Sequence, residues 1–168
     1  MQSMRQSTVR IATVILLTCL FSRIVYGQTV LTISGEVTKP FSLQAADLKA
    51  MPHAEVVAKD KDGKNHTYAG VPLAELLKQA GTTTGAELRG KNLSKVVIVK
   101  ATDGYEVVFA LPEIDPEFTT RIILLADSVD GNPLAQGVGP YRIVVPDEKK
   151  PARWVRDVKA IEIRFASK

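Results

Sequence analysis

Cysteine is nearly absent from this chain, because Cys19 is the single cysteine among 168 residues. It lies within an apolar N-terminal segment that has the features of a cleavable leader. Without that segment the chain has no thiol, and so no disulfide, no cysteine-ligated zinc and no thiolate nucleophile. The remaining 141 residues are enough for one domain that buries a core without covalent cross-links.

A long apolar run is also absent. The longest, residues 11–21, has eleven residues, whereas a membrane-spanning helix needs roughly twenty. Arg5 and Arg10 precede this run and no acidic residue accompanies them, a pattern typical of a secretory signal peptide. Because the two arginines are not adjacent, the leader is of the Sec type rather than the twin-arginine type.

The end of the leader is predicted from its small side chains. Val25 and Gly27 occupy the two positions that a signal peptidase reads. We therefore expect cleavage after Gly27, a signal peptide over 1–27, a single domain over 28–168, and a periplasmic or secreted protein with no membrane span. An uncleaved N-terminal anchor is the alternative.

The excess of positive charge is largely a property of the leader. Residues 1–27 hold three of the 22 basic residues and none of the 18 acidic ones, which leaves a net charge of +1. A nucleic-acid-binding protein needs a dense basic face, so we expect no nucleic-acid partner. Basic residues cluster only within 149–159, which we interpret as a solvated segment.

Motifs of hydrolytic and phosphate-binding enzymes are missing. There is no Gly-x-Ser-x-Gly sequence. Residues 85–92 approach a P-loop, but Asn92 replaces the Ser or Thr that would hold magnesium. Glu113, Asp115 and Glu117 lie among prolines and indicate an exposed corner rather than a pair of catalytic carboxylates. We therefore assign no catalytic residue.

Metal-binding patterns are weak as well. Residues 60–65 offer oxygen atoms on alternate positions, but Val71 stands where a calcium loop needs its glutamate, so we expect a hairpin turn. His53 and His66 lack a clear third ligand. We assign no metal ligand.

The spacing of apolar residues and of turn formers predicts an α+β domain with mixed, largely antiparallel sheets and short helices. Ser42 is expected to cap a short first helix, and Gly81 to end a second one that begins near Pro72. Trp154 is expected in the core. Strands are predicted over 30–37, 53–59, 95–101, 105–111, 121–127, 141–146 and 158–165. A further strand, ending at 68, follows the hairpin turn over 60–64, and a helical turn is predicted over 112–116.

Three segments occur in the order found in a known family. They are Tyr-Ala-Gly-Val-Pro-Leu at 68–73, Asp-Gly-Tyr at 103–105, and Asp-Gly-Asn-Pro-Leu at 130–134 followed by Gly-Pro-Tyr-Arg-Ile-Val-Val-Pro at 139–146. Together they resemble the molybdopterin-binding domain of the sulfite oxidase family of oxidoreductases. The resemblance implies that family's fold over nearly the whole mature chain.

The resemblance also implies a site and shows what is missing from it. Members that are enzymes hold molybdenum through one cysteine thiolate, and Ala58 or a neighbour stands about where that residue would be. Arg142 matches an arginine that contacts the pterin pyrophosphate, and Arg153 lies near a second anion-contacting segment. Tyr105 is a weaker cofactor-contacting residue. For Arg142, an ion pair with a local acid is an equally good interpretation.

Two hypotheses follow. The first is an exported, non-catalytic binding module for a small anion or a protein partner, with no cofactor expected. The second is a working molybdopterin-dependent oxidoreductase, of the sulfite oxidase or sulfoxide reductase kind, that binds the pterin through Arg142 and Arg153. The missing thiolate favours the first, because redox turnover at a metal normally depends on that ligand.

Overall fold

The computed structural model describes residues 31–167, and in that part of the chain two five-stranded sheets pack together with two short helices. The predicted cleavage site at Gly27 lies outside the described residues. The strands are β1 (Leu31–Gly35), β2 (Phe41–Leu43), β3 (Ala54–Lys59), β4 (Asn65–Pro72), β5 (Lys95–Ala101), β6 (Glu106–Ala110), β7 (Leu124–Val129), β8 (Asn132–Pro133), β9 (Arg142–Val144) and β10 (Val158–Phe165), and the helices are α1 (Ala45–Ala50) and α2 (Leu73–Gln79).

The first sheet has the strand order β2-β1-β10-β5-β6. Only the β1–β10 pair is parallel, and its other pairs are antiparallel. Strand β5 is buried along most of its length because it lies between β10 and β6. The mixed, largely antiparallel α+β class predicted from the sequence is confirmed.

The second sheet has the order β3-β4-β7-β8, and β9 also pairs with β7. The predicted hairpin turn after Lys59 joins β3 to β4. A bulge between Ala69 and Gly70 interrupts the pairing of β4 with β7. Gly70 is required at the bulge, because a Cβ atom there would collide with the backbone of Leu125 and Ala126.

The core lies between the sheets and under α2. Helix α2 buries the stripe Leu73, Leu76 and Leu77, and the buried Ala80 follows the helix. Gly81 has a φ of 70° and ends the helix, as predicted. Complete burial of each leucine contributes about 2 kcal/mol. In residues 31–167 no helix is both long and apolar enough to cross a bilayer.

The prediction that Ser42 caps α1 is wrong. Phe41, Ser42 and Leu43 form strand β2 on the edge of the first sheet, where Leu43 is buried. Gln44 is the N-cap instead, and the Asp47 carboxylate accepts a hydrogen bond from its backbone N–H at 2.8 Å. The alternation of apolar and polar residues over 41–43 outweighed the capping preference of serine.

Candidate functional site

Arg142 and Asp60 form a two-bond ion pair at the end of the second sheet. Arg142 lies on β9, and Asp60 is the first residue of the turn after β3. Nη1 of Arg142 donates to Oδ2 of Asp60 at 2.8 Å, and Nη2 donates to Oδ1 at 3.2 Å. The side chains are only 5% and 18% exposed, so the pair is largely shielded from water.

Aromatic rings enclose this ion pair. The guanidinium carbon lies 5.5 Å from the ring centroid of Tyr68 and 5.0 Å from that of Trp154, within the range of cation–π attraction. The Tyr68 and Trp154 rings meet edge to face at 5.5 Å. Trp154 is buried, as expected, and its indole N–H donates to the carbonyl of Val145 at 3.1 Å.

The carboxylate of Asp60 stays ionised because of its donors. Burial alone would raise its pKa, but the hydrogen bonds from Arg142 and Tyr68 outweigh burial and hold the pKa well below its usual range. The Tyr68 hydroxyl donates to Oδ2 of Asp60 at 2.7 Å. Burial, and next the hydrogen bond to Asp60, raise the pKa of Tyr68, so that residue remains a neutral donor.

Arg153 is also held by carboxylates. Its Nε donates to Glu148 at 2.8 Å, and its Nη1 donates to Glu113 at 3.1 Å. The guanidinium carbon lies 4.4 Å from the centroid of the Phe109 ring. Both arginines that the resemblance assigns to anion contacts therefore face acidic partners in this structure.

The acidic segment around Glu113 is not uniformly exposed. Glu113 caps the backbone N–H of Ala110 at 3.0 Å as well as pairing with Arg153. Asp115 is buried and accepts hydrogen bonds from the backbone N–H groups of Gly85 and Glu117. The prediction of an exposed corner is thus wrong for Asp115, because its carboxylate is needed to satisfy buried backbone donors.

The two histidines do not form a common metal site, because each contacts different acidic residues. Nε2 of His53 donates to Asp127 at 3.1 Å. His66 donates from Nδ1 to Asp130 at 2.6 Å and from Nε2 to Asp62 at 3.0 Å.

Ala58 is the residue that the resemblance places, itself or a neighbour, about where the metal-binding cysteine would be. Ala58 lies on β3, is 4% exposed, and pairs with His66 across the hairpin. Within residues 31–167 no cluster of three or more His, Cys, Asp or Glu side chains could hold a metal ion. With no soft anionic ligand in residues 31–167 and with both arginine forks facing carboxylates, these residues do not fit a molybdenum–pterin group.

A cleft of about 530 Å³, here called the basic cleft, lies beside Trp154. Its cationic lining residues Lys61, Lys150 and Arg156 form no ion pair with the described residues. Among the described residues, Asp103 is the sole acid in the lining. A neighbouring depression shares Lys61 and Arg156 with the cleft and reaches the Arg142–Asp60 pair.

Tyr105 forms part of the wall of the basic cleft. Its ring is half-exposed, and its hydroxyl donates to the carbonyl of Ala152 at 2.9 Å. Its backbone N–H donates to the Asp103 carboxylate at 2.9 Å, which closes the turn between β5 and β6. Both the hydroxyl and the backbone of Tyr105 are therefore held, and the half-exposed side chain lines the cleft.

Sequence reasoning missed the basic cleft. It interpreted Lys61 as a turn residue, and Lys150 and Arg156 as part of a solvated segment. Lys61 lies about ninety positions before Lys150 and Arg156 in the chain, and only the fold brings it to the same cleft. The signal available in the sequence was the local excess of basic residues over 149–159.

Comparison with known proteins agrees with the fold. The family model described as the oxidoreductase molybdopterin binding domain matches residues 25–167. Among solved structures, the sulfane dehydrogenase SoxCD from Paracoccus pantotrophus matches with a TM-score of 0.63 and 22% sequence identity. That match covers 83% of this chain and 39% of the SoxCD chain, so this chain spans about two-fifths of the length of that relative. No curated protein matches. The chain belongs to the oxidoreductase molybdopterin-binding domain family.

Proposed function

We propose that this domain is an exported, non-catalytic binding module that takes a small anion into the basic cleft. The observation that carries the proposal is that Lys61, Lys150 and Arg156 form no ion pair with the described residues, while the nearby Arg142 is already neutralised by Asp60. In this proposal the domain has the fold of its family but carries out no chemistry at a metal.

The non-catalytic part of the proposal rests on ligand chemistry. A protein bonds a redox metal through deprotonated donors, and molybdenum in this family takes a thiolate. Ala58 offers a buried methyl group at the matching position. A thiolate at this position would not by itself restore cofactor binding, because the guanidinium of Arg142 would still face Asp60 rather than a phosphate.

The preference for an anion rests on local charge. Three cations and one carboxylate line the basic cleft, and clefts lined by one sign of charge concentrate ions of the opposite sign. The guanidinium of Arg156 offers paired donors to carboxylate, sulfate or phosphate oxygens. The Tyr105 ring adds a flat apolar surface. A volume of about 530 Å³ suits a small molecule rather than a macromolecule.

The exported location follows from the predicted leader. It implies a periplasmic or secreted domain that crosses the membrane unfolded and without a cofactor. A protein partner is compatible with this location as well.

The proposal is tested by purifying the native protein from cells that make the molybdenum cofactor. Molybdenum is measured by mass spectrometry, and released pterin by fluorescence. We expect neither in stoichiometric amount, and stoichiometric molybdenum would support instead the working oxidoreductase that binds pterin through Arg142 and Arg153. Calorimetric titration with sulfite, sulfate and phosphate tests the binding role, and no heat from any of them would contradict it.

A further inference from the structure

Strand β3, at one end of the second sheet, has an open edge. It pairs with β4 along its whole length without a bulge, and within residues 31–167 no strand pairs with its other side. The backbone N–H and C=O groups on such an edge are able to pair with another strand. With six residues, β3 is the longest of these end strands, because β2, β6, β8 and β9 are all shorter.

The end strand that comes nearest to β3 in length, β6, has its edge covered. The backbone N–H of Ala110 donates to the Glu113 carboxylate at 3.0 Å, and the carbonyl of Val108 accepts from Nη1 of Arg153 at 3.5 Å. In the described residues, by contrast, β3 makes no backbone–backbone hydrogen bond other than those to β4. Proline, bulges and glycine commonly weaken an exposed edge, and β3 has none of them.

The outward backbone groups of β3 belong to Glu55, Val57 and Lys59. At the end of the hairpin, the N–H of Asp60 donates to the carbonyl of Lys64 at 3.0 Å. Residues along an antiparallel strand direct their backbone groups alternately to one side and to the other. The even-numbered residues of β3 therefore bond to β4, and the three odd-numbered ones direct their N–H and C=O groups to the open edge.

The side chains of the same three residues share one face of the sheet and are exposed. Val57 is 62% exposed, more than any other large apolar side chain in the described residues. Glu55 and Lys59 lie two positions before and after it and carry opposite charges. Neither forms an ion pair within residues 31–167. The strand thus presents an apolar residue between two charges of opposite sign.

We propose that two copies of this chain pair through β3, antiparallel, about a two-fold axis at Val57. In this register Val57 lies opposite Val57 of the second copy, and Glu55 lies opposite Lys59 of the second copy. Each of the three residues exchanges both backbone hydrogen bonds with the residue opposite it. The two sheets become one sheet that continues across both copies. This interface uses no residue of the basic cleft and goes beyond the proposed function.

The charge pattern favours a second copy as the occupant of this edge. The two-fold axis places opposite charges directly across from each other twice, and such cross-strand pairs are stabilising. A parallel pairing in register would instead place like charges side by side. Because each copy has one such edge, the assembly closes at a dimer. An interface built on one short strand is small, so we expect a dissociation constant on the order of tens of micromolar.

The test is sedimentation equilibrium of the mature chain from about 1 to about 500 micromolar. Glu55→Lys and Lys59→Glu each place like charges opposite each other twice in the dimer, and each should weaken dimerisation by about tenfold. The double variant, Glu55→Lys with Lys59→Glu, restores both pairs and should dimerise like the wild type. Glu75→Lys and Lys78→Glu, on exposed positions of α2, make the same changes in net charge and should have no effect.

Amide hydrogen exchange, followed by NMR at low and at high protein concentration, tests the strand itself. The amides of Glu55, Val57 and Lys59 should be protected only at high concentration, whereas those of Val56 and Ala58 should be protected at both. A chain that stays monomeric over the whole range would overturn the proposal. So would a double variant as weak as the single ones, or exchange at the three outward amides that does not depend on concentration. Titration of the monomer with sulfate or phosphate tests the basic cleft separately.

Discussion

Nη1 and Nη2 of Arg142 both donate to the carboxylate of Asp60, a residue 82 positions away in the sequence. The pair joins strand β9 to the hairpin turn between β3 and β4, with Tyr68 and Trp154 packed against the guanidinium. An arginine that the family resemblance assigns to an anionic cofactor therefore neutralises an acid of its own chain.

Arg142→Ala should lower the free energy of unfolding by about 3 kcal/mol, because it leaves a largely buried carboxylate without its partner. Urea denaturation at neutral pH measures the change. Arg142→Lys is the matched variant: it keeps the charge but loses the two-bond geometry, and should give a smaller loss. If Arg142→Ala keeps full stability but abolishes anion binding, the residue is a ligand contact and our interpretation of the pair is wrong.

The stability of the domain should fall as the pH rises from about 6 to 9. His53 and His66 each face two acceptors, and the hydrogen bonds that they donate, chiefly to Asp127 and Asp130 respectively, raise their pKa values. A histidine whose pKa is raised in the folded state contributes its full stabilisation at a pH below its pKa in the unfolded chain, about 6.5. That contribution is lost as the pH rises through its pKa in the folded protein.

The measurement is the unfolding free energy against pH for the wild type and for the double variant His53→Gln, His66→Gln. The variant should show a flatter curve across this range. Asp60 should not contribute to the change in stability over this pH range. Because its pKa is lowered in the folded protein, its stabilisation is present above pH about 4 and is lost only in strong acid. A wild-type curve that rises from pH 6 to 9 would contradict the assignment.

Lys150→Ala and Arg156→Ala should each weaken binding of sulfate or phosphate, by roughly three- to tenfold. Lys159→Ala is the matched control, because Lys159 belongs to the same basic stretch but does not line the cleft. Melting temperatures should stay close to that of the wild type, since Lys150 and Arg156 form no ion pairs with the described residues. Equal losses in all three variants would indicate general charge attraction instead of a site.

Gly70→Ala should destabilise the domain severely, because its Cβ would meet the backbone of Leu125 and Ala126 on the neighbouring strand. The clash involves backbone and not a flexible side chain, so we expect a loss above about 2 kcal/mol. Gly63→Ala is the control: no atom lies near its added Cβ, and only its left-handed φ of 80° opposes the change, at about 1 kcal/mol. Equal losses in the two variants would mean that β4 and β7 separate easily at the bulge.

Expression with the native leader should yield a mature chain that begins at Gln28. N-terminal sequencing of the protein recovered outside the cytoplasm checks this directly. Substitution of Gly27 by a bulky residue such as Phe should slow processing, because the signal peptidase accepts only small residues there. Recovery of the uncleaved chain in the membrane fraction would favour the N-terminal anchor.

Local patterns were sufficient for much of the fold. The stripe Leu73, Leu76 and Leu77 followed by Gly81 predicted α2 and its end, because burial at helical spacing and a left-handed stop are decided within a few residues. The stretches rich in Val and Ile over 95–101 and 158–165 predicted two strands of the first sheet. Short edge elements were less predictable: β2 was missed because three residues carry too little periodicity to outweigh a serine that resembles a helix cap.

The sequence by itself determined what the domain lacks: with Cys19 as its one cysteine, residues 31–167 contain no thiolate for a metal, whatever fold they adopt. It also determined the family, because the order of the motifs can be read without knowing which residues are in contact. Only the tertiary structure decided which charges are free. Strand pairing brings Arg142 next to Asp60, and the fold brings Lys61 to the same cleft as Arg156, although each pair is far apart in the sequence. The electrostatic energy of a charge depends on its distance from other charges and on its burial. Neither quantity can be read from the order of the residues.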